Sequence, residues 1–260
     1  MIINDKCKSI IPFKHLNNIY VVADFDRTLT AGTSSTSWFI LSKIKSIPKT
    51  YVQERQELYD YYRPIEVDDK IDYAYKMEKM IEWYHKHISL FVKYKLTQET
   101  FDKAVTDEEV VKFRPGAKEF MKFLNDNNIP LIIISAGVGN VIEAFLNYNN
   151  CYYDNIYVVS NMITFENGVA SGVASNIVHN FNKNEVVLPE PFKERLKNRT
   201  GVLLLGDQVS DLNMVDKSIH EFVVTAGFHV EDYPAEEMIA NYDIYCEKGE
   251  GYNDLKKVLF

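Results

Sequence analysis

Asp24 and Asp26 leave the end of the apolar run Val21-Val22-Ala23 one residue apart, and Thr28 follows at the same spacing. Two carboxylates this close repel each other unless a proton or a cation lies between them. Mg2+ suits such a pair because it prefers carboxylate and phosphate oxygens. Without a cation, the same residues would make a β-turn with solvated acids. Two further apolar runs repeat the design. Pro130-Leu131-Ile132-Ile133-Ile134 ends in Ser135-Ala136-Gly137, and Val202-Leu203-Leu204-Leu205 ends in Gly206-Asp207, with Asp211 four residues on. Phosphoryl transfer needs a nucleophile, charge neutralisation and a proton donor for the leaving group. Asp24 is the candidate nucleophile and Asp26 the candidate general acid and base. Asp207, with Asp24, is a candidate metal ligand. Asp211 is read as ligating through water or holding a ligand of the metal's shell, or else as an acid at a helix N-terminus. Ser135 with the Ala136 and Gly137 N–H groups can take phosphate oxygens, and Ser135 can also serve as a helix N-cap.

Runs that are apolar throughout read as strands buried on both faces of a parallel sheet. Ligands of open α/β sheets bind outside the carboxyl ends of the strands, so the three runs converge on one edge. Strands are expected at 19–24, 130–135, 156–160, 202–206 and 221–225, with an edge strand at 243–246. Helices are expected at 117–125, 139–148 and 190–197 and from Asp211 onward. A hairpin is expected within 162–173, with turns at Asn167-Gly168 and Ser171-Gly172. From Trp38 to Lys103 the pattern is helical, with Met77, Met80, Ile81 and Tyr84 on one stripe. Core packing is the favoured role for Met77, Met80 and Ile81. That stretch far exceeds the dozen or so residues a parallel crossover needs. The expectation is an α/β fold, a doubly wound, mostly parallel sheet formed by 1–32 and 106–260. A helical cap, 33–105, is inserted after the first strand.

Asp24-Phe25-Asp26-Arg27-Thr28, the Ser135 run and Gly206-Asp207 to Asp211 together resemble the phosphatases of the haloacid dehalogenase (HAD) superfamily and their Rossmannoid core. The resemblance implies that Asp24 is phosphorylated and that Asp26 distinguishes a phosphatase from a dehalogenase. It also implies a Mg2+ site made by Asp24, the Asp26 backbone carbonyl, Asp207 and Asp211. Thr28 joins the phosphate-binding residues. Lys183 falls where the superfamily places its phosphate-side lysine; Lys193 and Lys197 are the alternatives.

A narrower resemblance runs through Tyr61-Tyr62-Arg63-Pro64-Ile65-Glu66-Val67-Asp68, Met80-Ile81-Glu82-Trp83-Tyr84-His85-Lys86-His87, Val158-Val159-Ser160-Asn161-Met162 and His179-Asn180-Phe181-Asn182-Lys183. These segments are similar to the cytosolic 5'-nucleotidase type 3, or pyrimidine 5'-nucleotidase, family. That implies a Mg2+-dependent removal of the 5'-phosphate from nucleoside monophosphates, chiefly UMP and CMP. It also implies a base contact at Glu66 and a pocket shaped by Trp83 and Tyr84. A carboxylate accepts from the cytosine amine, and aromatic faces stack on bases. The plainer alternative makes Trp83 and Tyr84 cap core and Glu66 a surface acid. The chain departs from the family in Ala31-Gly32-Thr33-Ser34-Ser35-Thr36-Ser37-Trp38. It also departs at His87, near a position where the family carries a substrate-contacting serine. The competing readings are a phosphatase for a smaller monoester such as phosphoserine, and a phospho-receiver module, which would be about half as long and uncapped.

A formal net charge of −8 over 260 residues, without a basic run, argues against a nucleic-acid polymer as partner. The expected partner is a small phosphate monoester, and no membrane partner is expected. The three cysteines, Cys7, Cys151 and Cys246, suggest no disulfide framework, which fits a reducing cytoplasm. His85 and His87 would point to different helix faces, so no zinc site is expected.

Overall fold

A computed structural model of the chain describes residues 1–68, 70–183 and 188–260. The strands are β1 (Ile2–Ile3), β2 (Ile19–Ala23), β3 (Leu131–Val138), β4 (Ile156–Asn161), β5 (Ile163–Glu166), β6 (Val169–Val173), β7 (Gly201–Gly206), β8 (Phe222–Phe228) and β9 (Ile244–Cys246). Seven of them form one sheet in the order β1-β9-β8-β7-β2-β3-β4, and β5 and β6 pair separately as the hairpin. The pairs from β4 across to β9 are parallel. β1 is antiparallel to β9, so β9 lies inside the sheet and is not the expected edge. Each residue of β2, β3 and β7 is buried, which is why their sequences do not alternate. Val21, Ala23, Leu203 and Leu205 face one core, while Tyr20, Val22, Val202 and Leu204 face the other. The chain runs outward from β2 to β4, then returns to β7 on the other side of β2. Reversal beside β2 creates the crevice in which sheets of this kind bind ligands, and Asp24 sits at its mouth.

The helices are α1 (Lys49–Val67), α2 (Tyr73–Lys93), α3 (Gln98–Ala104), α4 (Ala117–Asp126), α5 (Gly139–Tyr148), α6 (Glu190–Leu196), α7 (Ala235–Asn241) and α8 (Tyr252–Leu259). α1 packs on α2, α2 on β6, and α3 on α5 of the core. The Asp72 side chain caps α2 by accepting from Tyr75 N at 3.0 Å. The buried stripe of α2 is Met80, Tyr84, His87, Ile88 and Phe91. Ile81, expected on it, is 40% exposed, because a residue one step from Met80 points about 100° away. Ser171 and Gly172 lie within β6, leaving Asn167-Gly168 as the hairpin turn. The helix expected from Asp211 is a 3-10 stretch, Val209–Met214.

Candidate active site

Asp24 leaves β2 extended, and the chain then turns tightly through Phe25–Leu29, with Arg27 in the left-handed region at φ 64°. Arg27 N donates to Thr30 Oγ1 at 2.7 Å and Thr30 N to Phe25 O at 3.1 Å, which closes the turn. The buried Arg114 side chain clamps it from outside, donating from Nε to Thr28 O at 3.1 Å and from Nη2 to Arg27 O. Tyr252 donates to Thr28 O at 3.3 Å. This clamp gives Arg114 its place at the turn.

The turn delivers Asp24 into a buried cluster. Lys183 Nζ lies 2.6 Å from Asp24 Oδ1 and 3.0 Å from Asp211 Oδ1. Asp24, Asp207 and Asp211 bring carboxylate oxygens within 4.8 Å of one another. Asp211 Oδ2 also accepts from the Asp207 and Gln208 N–H groups, at 3.1 Å each, so it both caps its own turn and faces the cluster. Thr28 Oγ1 donates to Asp207 Oδ1 at 3.3 Å. Burial pushes the Asp24 carboxyl up to about 7, with Lys183 opposing and Asp211 adding to the shift. Burial likewise holds Asp207 well above the carboxylate range, with Asp211 and Asp24 reinforcing it. Burial alone would lower the Lys183 ammonium, but the two carboxylates beside it hold it above its usual value. Three carboxylates thus share one lysine, and a hard divalent cation is the group whose charge and oxygen preference fit the imbalance. Lys193 and Lys197 are 47% and 67% exposed and pair with Glu190 and Glu194. They lie outside the cluster.

Asp26 is held from the cap side. Ser37 N donates to its Oδ1 at 2.8 Å and Ser37 Oγ to its Oδ2 at 2.7 Å, while Val138 N donates to Ser37 Oγ at 3.1 Å. Burial raises the Asp26 carboxyl and the two Ser37 hydrogen bonds pull it back. A raised carboxyl can carry a proton to a leaving group. Ser135 Oγ accepts from Gly137 N at 3.0 Å. Ser135 is not an N-cap, because α5 starts at Gly139 and its capping position is Val138. Ala136 and Gly137 offer their carbonyls to Asn161 Nδ2 at 3.0 and 3.1 Å, and the same amide donates to Val178 O at 2.8 Å. Asn161 therefore ties the Ser135 loop to the segment that carries Lys183.

Gly137 has no room for a side chain: a Cβ there would stand 2.0 Å from Ser37 Oγ and 3.1 Å from Asp26 Oδ2. Gly137→Ala is expected to displace the hydroxyl that positions Asp26 and to lower kcat on the order of 10^2-fold. The loss should be similar for large and small phosphate monoesters, because it concerns the residue expected to donate the proton. Steady-state kinetics on one of each checks this; a variant with normal kcat would remove Ser37 from the positioning of Asp26.

Beside this cluster the cap encloses a cavity of ≈ 100 Å3 lined by Thr36, Trp38, Phe39, Arg55, Tyr59, Trp83, Tyr84 and His87. Trp38 joins the two: its ring lies 5.0 Å from Tyr84 and 4.7 Å from His87, and its Nε1 donates to Ala136 O at 2.9 Å. The Tyr84 hydroxyl is raised mainly by burial, with Glu66, Lys183 and Asp26 all near enough to act on it. Burial and the Arg55 charge hold His87 down at about 3, so its ring is neutral. Arg55 Nε, Trp83 Nε1 and His87 Nε2 are buried without hydrogen-bond partners. Three unpaired polar atoms around one aromatic cavity suit a flat ligand with a polar edge. Of the four residues expected to touch substrate, Trp83, Tyr84 and His87 line the cavity and Glu66 does not. Glu66 instead pairs with Arg63 and accepts from Asn180 Nδ2 at 2.6 Å. Sequence reasoning missed Arg55, Tyr59, Trp38, Ser37 and Arg114. Only the unusual 31–38 loop flagged Ser37 and Trp38.

Residues 25–259 match the family model described as pyrimidine 5'-nucleotidase (UMPH-1). The chain is 33% identical over 245 residues to the 7-methylguanosine phosphate-specific 5'-nucleotidase of Mus musculus, covering 90% of this chain and 81% of the relative. The Homo sapiens protein of the same name is 31% identical over 245 residues, with the same shares covered. The solved structure of cytosolic 5'-nucleotidase IIIB bound to cytidine superposes with a TM-score of 0.83 at 28% identity, covering 97% of this chain and 88% of that one. A substrate-bound phosphoserine phosphatase superposes with a TM-score of 0.58 at 14% identity, over 92% of this chain and 97% of that one, which is a likeness of fold.

Proposed function

The chain belongs to the pyrimidine 5'-nucleotidase (UMPH-1) family, and from that premise we propose a Mg2+-dependent hydrolysis of nucleoside 5'-monophosphates, pyrimidine nucleotides preferred, through phosphorylated Asp24. It is a phosphoric monoester hydrolase of the 5'-nucleotidase type on a HAD-like fold, not a phospho-receiver. Adjacency carries the fuller reading: the carboxylate–lysine cluster adjoins an aromatic cavity whose wall has unpaired polar atoms. In this reading an Asp24 oxygen attacks phosphorus and the bond to the nucleoside 5'-oxygen breaks. Asp26 gives its proton to that oxygen. As a carboxylate it then takes a proton from the water that attacks the acyl phosphate, releasing phosphate and restoring Asp24. Lys183, Thr28, Ser135 and the Ala136 N–H hold the phosphate oxygens, while the Gly137 N–H, expected to join them, donates to Ser135 Oγ. Asp24, Asp207, Asp211 and the Asp26 carbonyl would hold Mg2+, which neutralises phosphoryl charge when bound.

The pyrimidine preference draws on the family's description, on cytidine in the structural relative and on a cavity small against the ~300–1,000 Å3 of larger ligand pockets. A cytoplasmic setting draws on the word cytosolic in that relative's name and on three free cysteines. No helix among the described residues is long and apolar enough to cross a membrane. Rates with UMP, CMP, AMP, GMP, 7-methyl-GMP and phosphoserine, with Mg2+ and with EDTA, test the proposal. UMP or CMP should lead in kcat/KM, and EDTA should abolish turnover. Phosphoserine ahead of every nucleotide, or full activity in EDTA, would overturn it.

Glu66 is proposed to set base choice without entering the chemical step. Glu66→Gln should lower kcat/KM for the preferred nucleotide roughly 10- to 150-fold, the cost of one charge-assisted hydrogen bond. A small aryl phosphate should be nearly unaffected. A parallel fall on both substrates would mean that the Asn180 contact instead serves to place the Lys183 segment.

A further inference from the structure

Arg55 is the one charged side chain among the residues lining the cap cavity, which include no carboxylate. It projects from α1, is 3% exposed, and its guanidinium carbon lies 3.9 Å from the centroid of the Phe39 ring. Nη2 donates to Gln56 Oε1 at 2.6 Å, whereas the buried Nε–H has no acceptor. A buried donor left unpaired is unfavourable. It would be relieved by an uncharged ring presenting a carbonyl or imine acceptor. Uracil, cytosine and guanine present such edges. A base that itself carries positive charge would meet Arg55, and Glu66, the carboxylate proposed to contact the base, is already paired with Arg63. 7-Methylguanine is such a base: methylation makes the ring cationic and removes the N7 lone pair, one of the two acceptors that an arginine fork reads on guanine.

We propose that Arg55 is a specificity-determining residue that makes the cavity accept uncharged, acceptor-edged bases and reject cationic 7-methylguanine. This rests on the reading that the cavity receives the base. It sets this chain apart from relatives whose names specify 7-methylguanosine phosphate. Aromatic stacking surfaces alone would favour a cationic ring; the guanidinium built into their midst reverses that preference. The neutral His87 adds no charge of its own, and its Nε2 remains available to the base edge.

The test is kcat/KM for UMP, GMP, 7-methyl-GMP and ribose 5-phosphate at mildly acidic pH, where the methylated ring is cationic. Wild type, Arg55→Met and Arg55→Lys are compared. Wild type should favour UMP over 7-methyl-GMP by about tenfold or more, with GMP above 7-methyl-GMP. In Arg55→Met the UMP to 7-methyl-GMP ratio should fall roughly tenfold, while Arg55→Lys should keep the wild-type order. An unchanged ratio in Arg55→Met overturns the proposal. So does a wild type that turns over 7-methyl-GMP as well as GMP, a comparison that stands even if Arg55→Met fails to fold. Nucleotides no better than ribose 5-phosphate would overturn the underlying base-pocket reading. Nucleotide selectivity that ignores Arg55 would overturn only the role given to this residue.

Discussion

Asp24→Asn should lower kcat for UMP by roughly 10^4-fold or more, the scale on which loss of a covalent nucleophile acts. Asparagine keeps the shape of the side chain but cannot form the acyl phosphate, and it weakens the acidic set proposed for Mg2+. The fold should survive, because the substitution removes one of three crowded carboxylates. Lys183 keeps Asp211 as a partner at 3.0 Å. Circular dichroism and a thermal melt close to wild type should therefore accompany the lost activity. A variant within tenfold of wild type would make Asp24 an electrostatic bystander and require another nucleophile.

Lys183→Met should produce the second largest effect, and on two quantities at once. The lysine is buried between Asp24 and Asp211, its side chain 5% exposed. Removing one partner of a buried ionic cluster leaves the others uncompensated, at a cost of about 3–5 kcal/mol in stability. Saturating Mg2+ should return part of that loss, because it supplies the missing positive charge. Activity should not return with it: a preorganised donor aimed at transferring charge contributes on the order of 10^2–10^3-fold to kcat. Denaturant unfolding with and without Mg2+, alongside kinetics, separates the two effects. Unchanged stability together with unchanged kcat would identify Lys183 as incidental to both the cluster and the phosphate.

The core of the site could be read from the sequence because its chemistry is local. Asp24 and Asp207 each follow directly on a strand that is buried throughout, Ser135 lies where the pairing of β3 becomes irregular after Ile134, and parallel strands must bring those ends to one edge. Lys183 was reachable through its place in a known order of motifs, since nothing in its own neighbourhood marks it as buried. The cap was harder. Its cavity is assembled from the 36–39 loop, from Arg55 and Tyr59 on α1 and from Trp83, Tyr84 and His87 on α2. No single segment shows that these residues meet. A helical stripe gives the period but not the facing element, so Ile81 was assigned inward although Met80 and Tyr84 are the ones that pack. The 31–38 stretch stands out in the sequence only as a departure from the family, yet its Ser37 donates twice to the Asp26 carboxylate. The limits of the cap, 33–105, remain our proposed division of the chain.

Trapping the intermediate is the most direct test of the account. Wild-type protein turning over UMP with Mg2+ is quenched in acid, treated with borohydride, digested and read by mass spectrometry. Hydride reduces an acyl phosphate to the alcohol and expels phosphate, so a phosphorylated Asp24 would be converted to homoserine. The account predicts homoserine at position 24 in wild type turning over UMP. It predicts none at Asp26, Asp207 or Asp211, and none in the absence of UMP. Steady turnover with no reduced aspartate at any quench time, or with the mark on another residue, would contradict it.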